Sequence, residues 1–113
     1  MFRLMMLALL YFILCGRVTA DSVTITQVNY ANNTVKPKGS FQAMALTAIY
    51  VQYKVGNMWV TVQQPTAAYN VLNKTWEFMQ PVPIPAGQQT IRVLMVIVPN
   101  TNEVASDPVT VGP

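Results

Sequence analysis

Apolar and polar residues alternate one by one along residues 49–55 and again along residues 58–63. Such alternation sends successive side chains to opposite faces of a β-strand. Only Gly56-Asn57 separates the two stretches, and such a pair is typical of a two-residue hairpin turn. The pattern therefore predicts a β-hairpin in which Val55 lies opposite Met58.

This register divides the hairpin into two faces of different character. One face carries Val51, Tyr53, Val60 and Val62, and a slip of one residue would send all four into water. We therefore expect this face to line the core. The opposite face is more polar and carries Tyr50, Gln52, Lys54, Trp59, Thr61 and Gln63.

The remaining chain predicts further short strands separated by turns. A second hairpin is expected around Asn73-Lys74, with Trp76 and Phe78 on its core face. Lys36-Pro37-Lys38 is interpreted as a charged, solvated turn. Residues 81–85 alternate proline with Val and Ile, which favours an extended connector because proline cannot donate to a β-ladder. Other strands are expected at residues 22–27, 41–47, 90–98 and 104–111.

The composition of residues 21–113 supports an all-β fold, since Val, Ile and Thr make up about a third of them and no stretch has helical spacing. We predict a two-sheet antiparallel β-sandwich of about seven strands. Its core is expected to contain Ile25, Met44, Leu46, Ile49, Val51, Tyr53, Val60, Val62, Trp76, Phe78, Ile91, Val93, Met95 and Val109.

The first 20 residues have the organisation of a secretory signal peptide: Arg3, an apolar run over residues 4–14, and the small-residue ending Val18-Thr19-Ala20. The run is shorter than the roughly 20 residues that span a bilayer. We expect cleavage after Ala20, one domain over residues 21–113, a secreted or cell-surface location and no membrane span after cleavage. An uncleaved signal anchor and lipidation at Cys15 are the alternatives.

The predicted mature domain has few groups suited to catalysis. The chain has no His, its one Cys lies in the leader, and its four carboxylates have no motif spacing. We expect a non-enzyme without metal or cofactor. Without Arg3 and Arg17 the basic residues exceed the acidic ones by one, which gives no reason to expect a nucleic-acid partner.

Several stretches together resemble bacterial immunoglobulin-like or fibronectin-III-like domains over nearly all of residues 22–111. The resemblance rests on residues 23–26, the hairpin of residues 50–59, residues 73–78, Pro85-Ala86-Gly87 leading into residues 91–93, and residues 107–111. Gln89 stands where many members have Tyr, and the core cysteine pair of antibody-type domains is absent. The resemblance implies that residues 90–98 lie beside residues 49–55 in one sheet. It also implies a spacer, adhesion or binding role.

In that layout the polar face of the hairpin extends onto the neighbouring strand. We name it the Trp59 face, and its residues are Tyr50, Gln52, Lys54, Trp59, Thr61, Gln63, Arg92 and Leu94. Aromatic and Arg residues are typical of interface centres, so we predict binding to another protein or to further copies of the chain.

Three other interpretations of this face stay open. Trp59 and Tyr50 could form a sugar-binding platform, the domain could be a passive spacer or wall component, or Trp59 could simply lie along the Lys54 side chain.

Overall fold

The structure is a computed structural model that describes residues 20–98 and 102–113. These residues form two antiparallel sheets packed face to face and contain no helix. The predicted class, an all-β two-sheet sandwich, is confirmed. The predicted signal peptide lies outside the described residues except for Ala20.

The described residues form ten strands, several of them short. They are β1 (Ser22–Ala31), β2 (Thr34–Gln42), β3 (Leu46–Val55), β4 (Met58–Val62), β5 (Ala68–Asn70), β6 (Thr75–Glu77), β7 (Val82–Pro83), β8 (Gln89–Ile97), β9 (Asn102–Ala105) and β10 (Val109–Val111). The first sheet has the order β1-β2-β6-β5, with β7 also paired to β2. The second has the order β10-β8-β3-β4, with β9 also paired to β8.

The predicted β3–β4 hairpin is present in the predicted register. Val55 lies opposite Met58 and Lys54 opposite Trp59. Gly56 at the first turn position has φ +60°, a backbone conformation that glycine adopts without a steric penalty. β8 pairs with β3 on its other side, with Arg92 opposite Gln52. This confirms the predicted pairing of residues 90–98 with residues 49–55.

The second predicted hairpin is also present, as β5 and β6, with Tyr69 opposite Trp76. Trp76 and Phe78 are both buried, as predicted, and their rings meet edge to face with centroids 5.9 Å apart. The Trp76 indole N–H donates to the carbonyl of Ser40 at 3.0 Å. The indole therefore fills the core without leaving its polar atom unpaired.

The prediction was wrong for the segment that forms β2. Residues 36–38 lie within this strand and form no turn. The expected strand over residues 41–47 is interrupted, because β2 ends at Gln42 and β3 begins at Leu46. Lys36 and Lys38 are exposed while Pro37 between them is buried, as strand alternation requires.

Pro37 is accommodated where the pairing on one side of β2 is broken. β6 pairs with β2 as far as Lys38, and β7 resumes the pairing at Val35. The Pro37 carbonyl accepts a hydrogen bond from the Phe78 N–H at 3.0 Å. The N–H that proline lacks falls in the gap between these two short strands.

The predicted core is confirmed for most residues and wrong for Met44 and Val60. Met44 is 86% exposed because it lies in the β2–β3 loop. Val60 is on the core-facing side, as the register requires, but it lies on an edge strand and is 37% exposed. Ile25, Tyr53 and Val62 are partly buried and pack against the core, and Val109 is half-buried. Buried apolar residues that were not predicted include Val23, Val35, Phe41, Val82 and Ile84.

The expected closing strand over residues 104–111 is divided in two. The buried Ser106 lies between β9 and β10, outside both strands, and pairs with β8 through hydrogen bonds to Val93. Its N–H donates to the Val93 carbonyl, and its hydroxyl oxygen accepts from the Val93 N–H, both at 2.9 Å. One serine thus satisfies both backbone groups of Val93 across the break.

Candidate functional site

The Trp59 face lies on the outer side of the second sheet and crosses β4, β3 and β8. The inward residues of these strands, such as Val51 and Val93, are fully buried in the core. Alternation then places the predicted residues on the opposite side, as expected. Gln63 follows the end of β4 and, together with Tyr50, lines an open groove.

The Trp59 indole lies close to two cations. The Arg92 guanidinium carbon lies 4.1 Å from the ring centroid, and the Lys54 Nζ lies 5.8 Å from it. Trp59 is on β4 and Arg92 is on β8, and β3 runs between them. The contact therefore spans the full width of β3, and the half-buried indole packs against side chains of its own sheet.

A chain of hydrogen bonds crosses the same three strands. Arg92 Nε donates to Gln52 Oε1 at 2.7 Å, and Gln52 Nε2 donates to Thr61 Oγ1 at 2.9 Å. Gln52 is only 6% exposed, and both ends of its amide have partners. Because the bond from Arg92 comes from a charged donor, it is among the stronger kinds of hydrogen bond. The network holds the Arg92 guanidinium in the orientation in which it contacts the Trp59 ring.

Two predicted residues of the Trp59 face are less exposed than the sequence suggested. Gln52 lies between Trp59 and Arg92, whose side chains meet across β3. Leu94 is 8% exposed; it lies between Tyr50 of β3 and Ala105 of β9, and the latter pairing was not foreseen. The prediction that Leu94 contributes to the exposed surface of the Trp59 face is therefore wrong.

Lys54 and Gln63 are the exposed residues of the face, and Trp59 and Arg92 are half-buried. Within residues 20–98 and 102–113, neither Lys54 nor Arg92 forms a salt bridge with a carboxylate. The Arg92 guanidinium contacts the Trp59 ring and donates a hydrogen bond to Gln52. The face is therefore suited to a partner surface that presents carboxylates or other acceptor groups beside an apolar contact.

We expect Arg92→Ala to lower the free energy of unfolding by about 1–3 kcal/mol, because it leaves the buried Gln52 oxygen without its donor and removes the contact with Trp59. Lys54→Ala is the matched control. It removes the other cation over the same ring, but that side chain is exposed, so a loss below about 1 kcal/mol is expected. Urea unfolding of both variants gives the comparison, and equal losses would contradict the role assigned to the network.

The structure also shows a feature that sequence analysis missed. An open groove of about 860 Å³ lies where the chain passes from the second sheet to the first, and it is lined by Tyr50, residues 63–68, Met79 and Gln80. Nothing in the sequence pattern of these residues marks it, since the groove arises from the crossing of the chain between sheets.

Within the described part of the chain, no cluster of three or more metal-ligating side chains occurs. The same residues contain no helix long and apolar enough to cross a membrane. No protein-family model matches the sequence, and the comparison with curated proteins finds no match. The class that the structure defines is thus a two-sheet antiparallel β-sandwich with an aromatic and cationic patch on one outer face.

Proposed function

We propose that the protein is a small secreted or surface-displayed immunoglobulin-like module that binds another protein, or further copies of itself, through the Trp59 face. The observation that carries this proposal is the contact of the half-buried Trp59 indole with Arg92, at 4.1 Å, on an outer sheet face. We favour binding over a passive spacer because aromatic and Arg residues are typical of interface centres.

The geometry supports binding because it lowers the entropic cost of recognition. Trp and Arg are the residues that most often dominate binding energy at interfaces. Here the Arg92 side chain is hydrogen-bonded to Gln52 and contacts the Trp59 ring, so both anchor side chains have contacts within the domain that favour their present conformation. Binding then loses less side-chain freedom than it would with mobile residues.

The strand order supports the immunoglobulin-like part of the proposal. In the immunoglobulin layout the first, second, fifth and fourth strands form one sheet, opposite a sheet built from the third, sixth and seventh. Here β1-β2-β6-β5 faces β3, β8 and the divided strand β9/β10, with β4 added beside β3. The two orders agree when β4 is counted as an additional strand beside β3 and the two-residue strand β7 is left out.

The carbohydrate alternative is less well supported by the geometry. A sugar platform needs an open ring face, and the guanidinium of Arg92 covers one face of the Trp59 indole. Tyr50 is half-buried beside Leu94 and offers a limited second ring.

We expect Trp59→Ala to weaken binding by about 2 kcal/mol, or roughly 30-fold, while the fold is retained. The full chain is tested for self-association by analytical ultracentrifugation and for retention on cellulose, chitin and peptidoglycan. Leu72→Ala is the matched control, because it also truncates a large apolar side chain. Leu72 is exposed in the β5–β6 turn, away from the Trp59 face.

The two variants distinguish the candidate functions. Loss of association with Trp59→Ala but not with Leu72→Ala supports the proposal. Retention on a polysaccharide that Trp59→Ala abolishes would favour the carbohydrate alternative. Equal behaviour of both variants in every assay would contradict a binding role for this face.

A further inference from the structure

β4 is the edge strand of the second sheet, and part of its backbone points away from the protein. In a two-residue hairpin the residues that flank the turn, Val55 and Met58, form a hydrogen-bonded pair, and such pairs alternate along the strands. The N–H and C=O groups of Trp59 and Thr61 therefore point outward from β3. The hydrogen bond that the Ile49 carbonyl accepts from Ala67, on the β4 side of β3, fits this alternation.

The sequence of β4 does nothing to protect this open edge. Proteins normally shield edge strands with charges, prolines, bulges or short length. β1 has a bulge between Ile25 and Gln27, β9 carries Glu103, and β5 and β10 have three residues each. β4 is Met-Trp-Val-Thr-Val, five residues in regular register without charge or proline.

The core-facing side of β4 is also left partly uncovered. Met58 is 72% exposed and Val60 37%, although both belong to the inward, apolar side of the hairpin. β1 packs against β8 and β9, so β5 is the strand of the first sheet on the β4 side. Tyr69 of β5 donates to the Leu46 carbonyl, which places β5 at the end of β3 far from the Gly56-Asn57 turn.

We propose that two copies of the chain associate by antiparallel pairing of their β4 strands around a two-fold axis at Val60. In this register Trp59 of each copy lies opposite Thr61 of the other, and each such pair exchanges both N–H···O=C bonds. All the outward backbone groups of β4 are then used. Registers centred on Trp59 or Thr61 leave some of these groups opposite residues outside β4.

The side chains along this junction are compatible with a second copy. On the inner side Val60 meets Val60, and Met58 lies beside Val62 of the other copy, so exposed apolar surface is covered. On the outer side Trp59 lies beside the neutral Thr61, and no charged residue of β4 opposes its counterpart. The inference rests on the proposed function, since it names a second copy as a partner and places the two Trp59 faces on one continuous sheet.

The size of the contact determines how strong the dimer is expected to be. Pairing of five-residue strands buries on the order of several hundred Å² per copy, below the roughly 800 Å² per partner of standard interfaces. We therefore expect a weak dimer, half-formed at about 10 µM to 1 mM, whose population depends on protein concentration.

Opposite charges at position 60 test the pairing and its register together. The full chain is studied by sedimentation equilibrium as Val60→Lys, as Val60→Glu and as an equimolar mixture. Each variant alone is expected to associate at least about tenfold more weakly than the parent, because like charges meet at the axis. The mixture is expected to recover association as a mixed dimer. Val55→Lys is the control, because it places the same charge on the same face one strand inward.

A cysteine variant covers the case in which a charge at position 60 disturbs folding. In the full chain with Cys15→Ser, Val60→Cys is expected to form a disulfide-linked dimer on mild oxidation, because the two positions are directly opposed across the axis. Val55→Cys in the same background is expected to form little disulfide-linked dimer.

The outcomes separate this inference from the proposed function. A parent chain that is monomeric at 1 mM, charge variants that associate as the parent does, or a mixture that fails to recover association would each overturn the β4 pairing. If Val60 variants associate normally while Trp59→Ala does not, the Trp59 face remains the binding surface and the edge pairing is wrong. If the mixture of Val60 variants recovers association and Trp59→Ala also associates normally, the β4 pairing is supported and the role of the Trp59 face is contradicted.

Discussion

Replacing Trp76 with alanine is expected to lower the free energy of unfolding by about 3–5 kcal/mol. Trp76 is among the largest fully buried side chains, contacts Phe78 edge to face and donates to the Ser40 carbonyl. Truncation leaves a large cavity and removes the hydrogen bond from the indole. Domains of this kind are stable by roughly 5–15 kcal/mol, so chemical denaturation should show a greatly destabilised or unfolded variant.

Trp76→Phe is the control for this prediction. It keeps most of the ring volume but loses the indole donor, so a smaller loss of about 1–3 kcal/mol is expected. A Trp76→Ala midpoint close to that of the parent would contradict the assigned burial of the indole.

Gly39→Ala is expected to destabilise the domain by about 3 kcal/mol or more, because a side chain at this position has no space. A Cβ atom there would overlap the Thr24 carbonyl oxygen and lie 2.9 Å from Cζ2 of Trp76. Thr24 belongs to β1, the neighbouring strand, and lies next to the bulge at Thr26. The backbone of β1 would have to move away from β2, which disturbs their ladder.

Gly56→Ala is the comparison variant, because at this position there is room for the added Cβ atom. A Cβ atom at Gly56 meets nothing within 4 Å, and the cost comes only from its φ of +60°. We expect a loss of about 1–2 kcal/mol from that conformation. If thermal unfolding shows Gly39→Ala to be the milder of the two, the close approach of β1 and β2 is wrong.

The hairpin of β3 and β4 could be predicted from sequence because two independent signals agree. Alternation assigns the faces, and Gly56-Asn57 fixes the loop length and therefore the register. The neighbouring strand β8 was placed correctly by the resemblance to immunoglobulin-like domains, and its predicted core residues Ile91, Val93 and Met95 are buried.

β2 could not be predicted because its inward residues hide the alternation. Val35, Pro37, Gly39 and Phe41 face the core, but proline and glycine normally signal turns. Tertiary context reverses that signal: Gly39 is required by the close approach of β1, and Pro37 lies at the gap between β6 and β7.

The residues of the candidate site could be predicted to share a face, but their exposure could not. The burial of Gln52 depends on side chains from β4 and β8 that meet over it, and the burial of Leu94 depends on β9. The sequence suggested Lys54 as the cation on Trp59, yet Arg92 lies closer to the ring. Such diagonal contacts depend on rotamers and on sheet order.

Photo-crosslinking in the host that produces the chain tests most directly whether the Trp59 face is the binding surface. A benzophenone amino acid is placed at Lys54, an exposed position next to Trp59, and in parallel at Lys38, an exposed position on the first sheet. We expect a specific adduct from position 54, its loss when Trp59→Ala is added, and none from position 38. An adduct from position 38 alone, or one from position 54 that Trp59→Ala leaves unchanged, would contradict the assignment of this face.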